Sequence, residues 1–285
     1  MKKIVLLVTA LVFLGFILLA HEYPVEKKEE IQKTLKFADP AKAKEVLVDN
    51  IFGSIRVQGY NGNEVLLVAH KTIKARNQDK LQKALEEVKL DLTEKGNTVD
   101  VFVDGPFRCH DRRGHSEWKD PGYEVQYDFE LRVPFQTNLD ISTVNGGDIE
   151  VGKVEGEFEV SNVNGKIRMS DVAGSGEVQT VNGAVQVIFT RSPQGNCEFK
   201  TVNGEVDLSF PGDLSADFRM KTFNGEIYSD FPVTYLPAAS AVKEQQKGRF
   251  VYKSDRFFGV RTGKGGPEIK LDTLNGDIYI RKRTA

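Results

Sequence analysis

Four residues of types that ligate metals lie close together in one polar stretch, at Cys109, His110, Asp111 and His115. Standard zinc sites pair a C-x2-C spacing with an H-x3-H spacing, and this stretch contains neither. Two arginines directly follow Asp111, and their charge would oppose a bound cation. The pattern therefore favours a solvated loop, and we expect no metal site and no cofactor.

Three carboxylates invite comparison with enzymes that cleave polysaccharides on a β-helix. Glu205 and Glu226 occupy the same position in successive copies of a repeat, and Asp207 lies close to the first of them. Paired carboxylates can act as acid and base on glycosidic bonds. Equivalent positions hold Lys166 and Ala184, and no histidine or arginine is placed to complete a site. We expect no catalytic residues, and a polysaccharide-active β-helix enzyme stays as an alternative.

Two other features could contact a ligand. The segment 263–267 (GKGGP) lacks the residue order of a phosphate loop and precedes a strand, so it predicts a turn. Tyr228 and Tyr279 occupy equivalent outward positions, and Phe257 and Phe258 lie in a late insertion. Exposed aromatic rings can stack on sugars or on a protein partner, although local packing is more common. The ligand-binding residues are therefore left unknown at this stage.

The elements that position these residues follow from a twelve-residue pattern centred on Asn-Gly, which recurs six times. Most copies lie 18 to 21 residues apart, and the last follows after 51. A fixed period near 20 residues is typical of stacked repeats, which build a long surface rather than one catalytic pocket. The asparagines that define the first to sixth copies are Asn145, Asn164, Asn182, Asn203, Asn224 and Asn275.

Apolar residues alternate with polar ones on both sides of each Asn-Gly, so each copy predicts a strand, a turn and a strand with one buried face. Asn-Gly between such strands commonly forms a hairpin, which would give an antiparallel meander. A constant period favours a solenoid instead, because stacked rungs place equivalent residues over one another. We predict an all-β fold, a parallel β-helix-like solenoid of about 20-residue repeats with one short helix. An antiparallel β-sandwich or meander is the alternative.

The stacked arrangement makes specific predictions for the turns. Glycine after each asparagine would supply a positive φ without steric cost. Threonines two residues before the asparagines would form a ladder beside them, at Thr143, Thr180, Thr201, Thr222 and Thr273. The open ends of such a stack need covering, because bare strand edges pair with other chains.

Other elements flank the six copies. Residues 46–57 match the repeat with a decayed turn and predict a seventh, degenerate copy. Residues 77–88 predict a helix with Leu81, Leu85 and Val88 on one face. This helix, or the insertion at 232–268, could cover an end of the stack. Strands are also predicted at 64–73, 88–93, 98–103 and 123–133, and irregular segments at 104–122 and 232–268.

The N-terminus predicts export. Met1-Lys2-Lys3 is basic, and residues 4–20 form an uncharged apolar run. This run fits a signal peptide that is removed, or a signal anchor retained at the lower length limit of a membrane span. Residues 21–36 are polar and mixed in charge and predict a spacer, so the folded repeat domain is expected at 37–285. The domain should lie outside the cytoplasm, in the periplasm, on the cell surface or anchored to the membrane.

Charge and cysteine content exclude some classes of protein. The formal net charge of −2 argues against a nucleic-acid partner, which would require a basic face. The chain has two cysteines. Cys197 occupies an apolar column of the repeat and is expected to be a small buried hydrophobe, so a disulfide with Cys109 is disfavoured.

The repeats T-[VFL]-N-G-x-[IV]-x-[IVL], the opening VLVDNIFGSIRV and the closing GKGGPEIKLDTLNGDIYIRK together resemble a bacterial family of unknown function that is labelled putative adhesin. The resemblance covers roughly residues 37–285. It implies a β-solenoid, an envelope location and no established enzyme activity. We expect a non-enzymatic binding or structural module whose partner is an envelope polysaccharide or protein. A membrane-tethered accessory protein of the envelope stress response is a further alternative.

Overall fold

The computed structural model describes residues 23–108, 120–237, 242–246, 249–253 and 257–283. Over these residues the chain forms strands and one helix, α1 (Gln78–Glu87). The strands are β1 (Val25–Lys36), β2 (Glu45–Asp49), β3 (Ile55–Tyr60), β4 (Glu64–Ala75), β5 (Lys89–Lys95), β6 (Thr98–Asp104), β7 (Tyr123–Pro134), β8 (Asn138–Ser142), β9 (Ile149–Gly152), β10 (Phe158–Ser161), β11 (Ile167–Val172), β12 (Gly176–Gln179), β13 (Val185–Phe189), β14 (Cys197–Asn203), β15 (Val206–Phe210), β16 (Ala216–Asn224), β17 (Ile227–Ser229), β18 (Thr234–Tyr235), β19 (Val242–Gln246), β20 (Arg249–Lys253), β21 (Phe258–Thr262), β22 (Glu268–Asn275) and β23 (Ile278–Lys282).

Each copy of the repeat is one rung that contributes a strand to each of two sheets. The first sheet has the order β1-β4-β7-β3-β9-β11-β13-β15-β23-β17, and the second β18-β21-β16-β22-β14-β12-β10-β8-β2-β6-β5. The Asn-Gly turn carries the chain from the second sheet to the first, and strands of neighbouring rungs pair in parallel. The β-solenoid is therefore confirmed, and the antiparallel hairpin is wrong for the repeats. Antiparallel strands join at both ends, so the sheets are mixed and not closed.

The core lies between the two sheets and consists of the alternate residues of each strand that face the opposite sheet. Ile141 and Val160 of the second sheet and Ile149 and Ile167 of the first have no exposed surface. Phenylalanines fill the middle of the stack around Phe189, whose ring lies 5.0 Å from that of Phe210 and 6.2 Å from that of Phe199. The alternation read from the sequence thus places the core where it was predicted.

The sixth copy does not follow the fifth in space. Strand β22 lies between β14 and β16, and β23 lies between β15 and β17. The rungs therefore stack in the order fourth, sixth, fifth. Sequential stacking, which the period predicted, is wrong at this point, and the 51 residues between Asn224 and Asn275 give the chain the length to return. As a result, Glu205 and Glu226 are not on adjacent rungs.

Two segment predictions are corrected. The predicted spacer at 21–36 contains β1, which pairs antiparallel with β4 along its whole length from Val25–Ala75 to Lys36–Glu64. The many charged residues of β1 are typical of a solvated segment. They are tolerated in this strand because one edge of it pairs with β4 and the other edge faces solvent. The predicted irregular insertion at 232–268 contains β18 to β21, and β21 pairs antiparallel with β16. In the loop predicted at 104–122, residues 109–119 lie outside the described residues.

The other flanking elements agree with the sequence. Phe52 of the degenerate copy bridges to Asn145, so this copy forms a rung with β2 and β3. Helix α1 begins after Asn77, whose side chain accepts a hydrogen bond from the backbone N–H of Lys80. The helix packs beside β4 and β7: Lys71 Nζ donates to the carbonyl of Val88 at 3.2 Å.

Close approach of neighbouring rungs, rather than positive φ, explains most of the turn glycines. A Cβ on Gly183 would lie 2.2 Å from the carbonyl oxygen of Gly165, and one on Gly204 would lie 2.0 Å from that of Gly183. Neither glycine has a positive φ, whereas Gly146 (81°) and Gly276 (154°) do. The predicted reason is therefore wrong at Gly183 and Gly204, where any side chain would strike the backbone of the neighbouring rung.

Two ladders of side chains run along the turns. In the asparagine ladder, each Nδ2 donates to the Oδ1 of the asparagine in the preceding rung. The distances are 2.6 Å for Asn164 to Asn145, 2.7 Å for Asn182 to Asn164, 2.8 Å for Asn203 to Asn182, 2.8 Å for Asn275 to Asn203 and 2.7 Å for Asn224 to Asn275. The threonine column is also confirmed, but its hydroxyls bond to glycine carbonyls of the neighbouring rung rather than to one another.

The threonine bonds give a prediction for stability. Thr201 is buried, and its Oγ1 donates to the carbonyl of Gly183 at 2.8 Å. Thr201→Val keeps the shape of the side chain but leaves that partly buried carbonyl without its donor, so the free energy of unfolding should fall by about 1–2 kcal/mol. Urea denaturation measures this change. Thr201→Ser keeps the hydroxyl and is the control, and a valine variant as stable as the serine variant would contradict the role of this bond.

Candidate binding surface

Of the residues considered for a metal site or a disulfide, the structure describes only Cys197. Cys109, His110, Asp111 and His115 lie outside the described residues, and so does any pairing of Cys109. Cys197 is buried in β14, as predicted, and burial raises the pKa of its thiol to about 11. It therefore behaves as a small apolar side chain rather than as a reactive thiol. Across the described parts of the chain, no cluster of histidine, cysteine and carboxylate side chains suits a metal ion.

The three carboxylates considered for catalysis do not form an acid–base pair. Asp277 of the sixth copy lies between Glu205 and Glu226 in the stack. Asp207 is held by Arg281, whose Nε lies 2.9 Å from both carboxylate oxygens. Glu226 accepts a hydrogen bond of 2.5 Å from the hydroxyl of Tyr228. Glu205 accepts a hydrogen bond of 3.3 Å from the side-chain amide of Gln186. Each of the three carboxylates is thus bonded to a neighbouring side chain, and none of them lines the groove described next.

A groove of about 710 Å³ runs across the outer face of the second sheet. One outward row of this face carries four carboxylates on successive parallel strands, and we call it the acidic row: Asp140, Glu159, Glu177 and Glu198. The next strand provides Lys270, whose Nζ lies 2.8 Å from Glu198. The row could have been predicted from the repeat, because each member stands one residue before an inward apolar position, but these residues lie before the Asn-Gly turn, whereas Glu205 and Glu226 follow it.

Burial of Asp140, together with repulsion from nearby carboxylates, gives a pH-dependent prediction. Partial burial, and then the charge of Glu159, raise the pKa of Asp140 above its usual range. The folded protein therefore holds this proton more tightly than the unfolded chain, and the ionised carboxylate opposes folding. That opposition is present above the folded pKa and is relieved as pH falls through it. Asp140→Asn should raise the thermal midpoint at neutral pH and raise it less in acid.

The control for this experiment is Asp213→Asn, which removes an exposed carboxylate outside the row. Both variants are compared by thermal unfolding across the carboxyl titration range. A stabilisation by Asp140→Asn that is equal at neutral and acidic pH, or that matches the control, would contradict the assignment. Added salt should reduce the rise in thermal midpoint that Asp140→Asn produces at neutral pH, because salt screens the repulsion between like charges near the surface.

The end of the stack that is formed by the fifth copy, which we call the terminal end, exposes apolar side chains. Of the exposed large hydrophobic residues in the described chain, most lie on the fifth and sixth copies or on the strands beside them, and we call this set the terminal apolar residues. They are Phe223 (71% exposed), Tyr228 (46%), Val233 (39%), Tyr235 (72%), Phe258 (43%) and Leu274 (46%). Apolar groups gathered on one part of a surface mark sites of interaction.

The aromatic rings at this end are held in fixed positions. The rings of Tyr228 and Tyr279 stack at 5.1 Å with an interplanar angle of 7°. The hydroxyl of Tyr279 donates to Asp277 at 3.0 Å, and Arg281 lies over the same ring. Tyr235 and Phe258 meet edge to face at 5.4 Å. The expected local packing therefore occurs, yet Tyr228 and Tyr235 are 46% and 72% exposed.

The two edges of the first sheet contrast in chemistry. The edge strand β1 is rich in lysine and glutamate and has Lys27–Glu29 and Lys28–Glu26 ion pairs. Charged side chains of this kind discourage pairing with another chain. At the opposite edge, β17 pairs with β23 and with no other described strand. The terminal end thus combines a bare strand edge with exposed apolar rings.

The remaining predicted contact segment is a turn. Gly263 and Gly265 have positive φ, and Gly265 N–H donates to the carbonyl of Thr262. Residues 263–267 therefore turn the chain from β21 into β22 and form no phosphate loop. Phe257 lies within cation–π distance of Lys221 and Lys270.

Among helices within the described ranges, none has the length and apolar character needed to cross a membrane, and residues 1–22 fall outside those ranges.

Comparison with solved structures finds likeness at low identity. A putative cell adhesion protein from Clostridium sporogenes ATCC 15579 is 11% identical, with 90% of this chain and 100% of that chain covered and a TM-score of 0.42. A putative adhesin from Bacteroides fragilis NCTC 9343 is 12% identical, with 90% and 97% covered and a TM-score of 0.37. A putative lipid binding protein from Parabacteroides distasonis ATCC 8503 is 10% identical, with 90% and 97% covered and a TM-score of 0.23.

No curated protein matches the chain. The family comparison is decisive by contrast, because the matched residues include β4, the degenerate copy and all six copies of the repeat. The match begins within β1 and ends within β23, over residues 30–281. This chain belongs to the Toastrack DUF4097 family.

Proposed function

We propose that this protein is an exported, non-enzymatic binding module of the bacterial cell envelope, which contacts an envelope polysaccharide or protein in adhesion or in envelope organisation. The observation that carries the proposal is the gathering of exposed apolar side chains at the terminal end, with Phe223 and Tyr235 more than two-thirds exposed. Burying such side chains against a partner would release free energy in proportion to the apolar area removed from water.

The arrangement of charged groups supports a binding role over a catalytic one. The carboxylates considered for catalysis are tied to neighbouring side chains, such as Asp207 to Arg281 at 2.9 Å. A catalytic site would require acid and base groups that converge on one point. The stack instead repeats one surface motif along its length, which suits contact with an extended partner.

A sedimentation experiment with isolated envelope fragments tests the binding role. The wild-type protein should sediment with the fragments, and the double variant Phe223→Ser/Tyr235→Ser should lose most of that association. The matched control is Val181→Ser/Ile188→Ser, which removes two side chains that are each 38% exposed elsewhere on the stack. Equal loss in both double variants, or no loss in the first, would contradict the assignment to the terminal end.

Enzymatic removal of envelope polysaccharide before sedimentation separates the two classes of partner. Loss of binding after this treatment would identify a polysaccharide, and loss after protease treatment of the fragments would identify a protein.

A separate experiment tests whether residues 1–20 are cleaved from the protein. Intact-protein mass spectrometry of the membrane fraction should show whether this segment is retained as an anchor or removed.

A further inference from the structure

The terminal rung differs from the other rungs in the chemistry open to its Asn-Gly pair. In Asn-Gly sequences, the backbone nitrogen of glycine can attack Cγ of the asparagine side chain, forming a C–N bond and expelling ammonia. Water then opens the succinimide ring to aspartate or isoaspartate. The overall change is the loss of ammonia and the gain of water, with no oxidation. The attacking nitrogen must lose its proton, so a glycine N–H that is engaged in a hydrogen bond is a poor nucleophile.

Inner rungs protect that nitrogen. The glycine N–H of three copies donates to the backbone carbonyl of the asparagine on the next rung. The three bonds are Gly183 to Asn203 at 3.0 Å, Gly204 to Asn275 at 2.9 Å and Gly276 to Asn224 at 2.9 Å. In the same three copies, the Oδ1 atoms of Asn182, Asn203 and Asn275 each accept a hydrogen bond from the side-chain amide of the asparagine on the next rung. Reaction there would first require the rungs to separate.

The first two copies are protected through the side chain alone. The Oδ1 of Asn145 accepts from Asn164 at 2.6 Å, and the Oδ1 of Asn164 accepts from Asn182 at 2.7 Å. These bonds hinder the rotation of the asparagine side chain that would bring its Cγ close to the glycine nitrogen.

Asn224 ends the ladder and lacks both protections. Its Nδ2 donates to Asn275 at 2.7 Å, but no described residue donates to its Oδ1 or accepts from the N–H of Gly225. Both residues are exposed. We propose that the Asn224–Gly225 peptide is the deamidation site of the asparagine ladder, through a succinimide formed by attack of Gly225 N on Asn224 Cγ.

The modification would change the terminal end itself. Aspartate at 224 replaces the amide that bonds to Asn275 and adds a negative charge two residues before Glu226. Isoaspartate would lengthen the backbone immediately before β17. Either product therefore alters the rung that carries Phe223 and Tyr228. The inference rests on the geometry of the ladder and stands apart from the proposed binding function.

Peptide mapping by mass spectrometry tests the proposal on the folded protein incubated in mildly alkaline buffer. Deamidation at Asn224 should be about tenfold or more faster than at Asn182, Asn203 and Asn275, because those sites must first break hydrogen bonds between rungs. Asn61–Gly62 lies outside the ladder, and its glycine N–H donates to the carbonyl of Tyr60 at 3.1 Å, so it provides an internal reference for a hydrogen-bonded pair without a neighbouring rung. In concentrated urea all these sites should react at similar rates.

Two variants sharpen the test. Asn224→Gln should abolish the mass change at this peptide while leaving the inner sites slow. Asn203→Ala removes the donor to Asn182 Oδ1 and should speed deamidation at Asn182. Folded-state rates at Asn224 no faster than at the inner sites would overturn the proposal. So would a preference for Asn224 that persists in urea, since local sequence rather than the ladder would then set the rate.

Discussion

Gly204→Ala is expected to destabilise the protein by about 3 kcal/mol or more, because overpacking and lost hydrogen bonds between rungs act together. The new Cβ would lie 2.0 Å from the carbonyl oxygen of Gly183 and 2.5 Å from its carbonyl carbon. Both atoms belong to backbone that is fixed on two sides, so the two rungs would have to move apart. Urea denaturation followed by circular dichroism measures the loss.

Gly96→Ala is the matched control for this substitution. Gly96 has a positive φ of 62°, but a Cβ there would meet nothing within 4 Å. The control should therefore lose only about 1–2 kcal/mol, the cost of a left-handed conformation for an L-residue. Equal losses in the two variants would mean that turn conformation, rather than contact between rungs, fixes glycine in the repeat.

Phe189→Ala is expected to cost about 3–5 kcal/mol, since it removes a large aromatic side chain from a closed core. Phe189 has no exposed surface, and its ring stacks on Phe210 at 5.0 Å and meets Phe199 edge to face. Removing it would leave a cavity that neighbouring rungs cannot fill, because their spacing is set by backbone hydrogen bonds. Calorimetric or chemical unfolding provides the measurement.

Ile188→Ala serves as the control in the same strand. Ile188 points outward and is 38% exposed, so its truncation should change stability by less than about 1 kcal/mol. If Ile188→Ala were as destabilising as Phe189→Ala, the assignment of inward and outward faces in β13 would be wrong.

Much of the fold could be predicted because one physical pattern repeats. Alternation around each Asn-Gly fixed which residues face the core, as at Ile141 and Ile149, and the constant period favoured a solenoid over a meander. The order of rungs could not be predicted in this way. Copies four, five and six share the same alternation around Asn-Gly, so nothing in the pattern distinguishes a sixth rung at the end from one inserted beside the fourth.

Charge misled the prediction at β1. Its many lysines and glutamates are typical of a solvated spacer, yet the strand pairs along one edge with β4 and leaves the other edge in solvent. A strand of this kind gains its stability from a partner that is distant in sequence. Local composition therefore carries little information about it.

The candidate surface was only partly accessible from the sequence. Tyr228 and Tyr279 were recognised as equivalent outward residues, and the structure stacks them. Phe223 and Leu274 were missed because they stand in the variable position of the repeat, where valine occupies the other copies. Their exposure depends on the sixth and fifth copies forming the end of the stack, which only the three-dimensional order of the rungs reveals.

The most direct test of the account is to ask whether the repeat domain faces the outside of the cytoplasmic membrane. Lys166→Cys, at an exposed turn, is introduced into a Cys109→Ser background and treated on intact cells with a charged maleimide that does not cross that membrane. Cys197 is buried and should react only after denaturation, so it reports on folding. The account predicts labelling at residue 166 without lysis. Labelling that appears only after the membrane is broken would place the domain in the cytoplasm and contradict an envelope function.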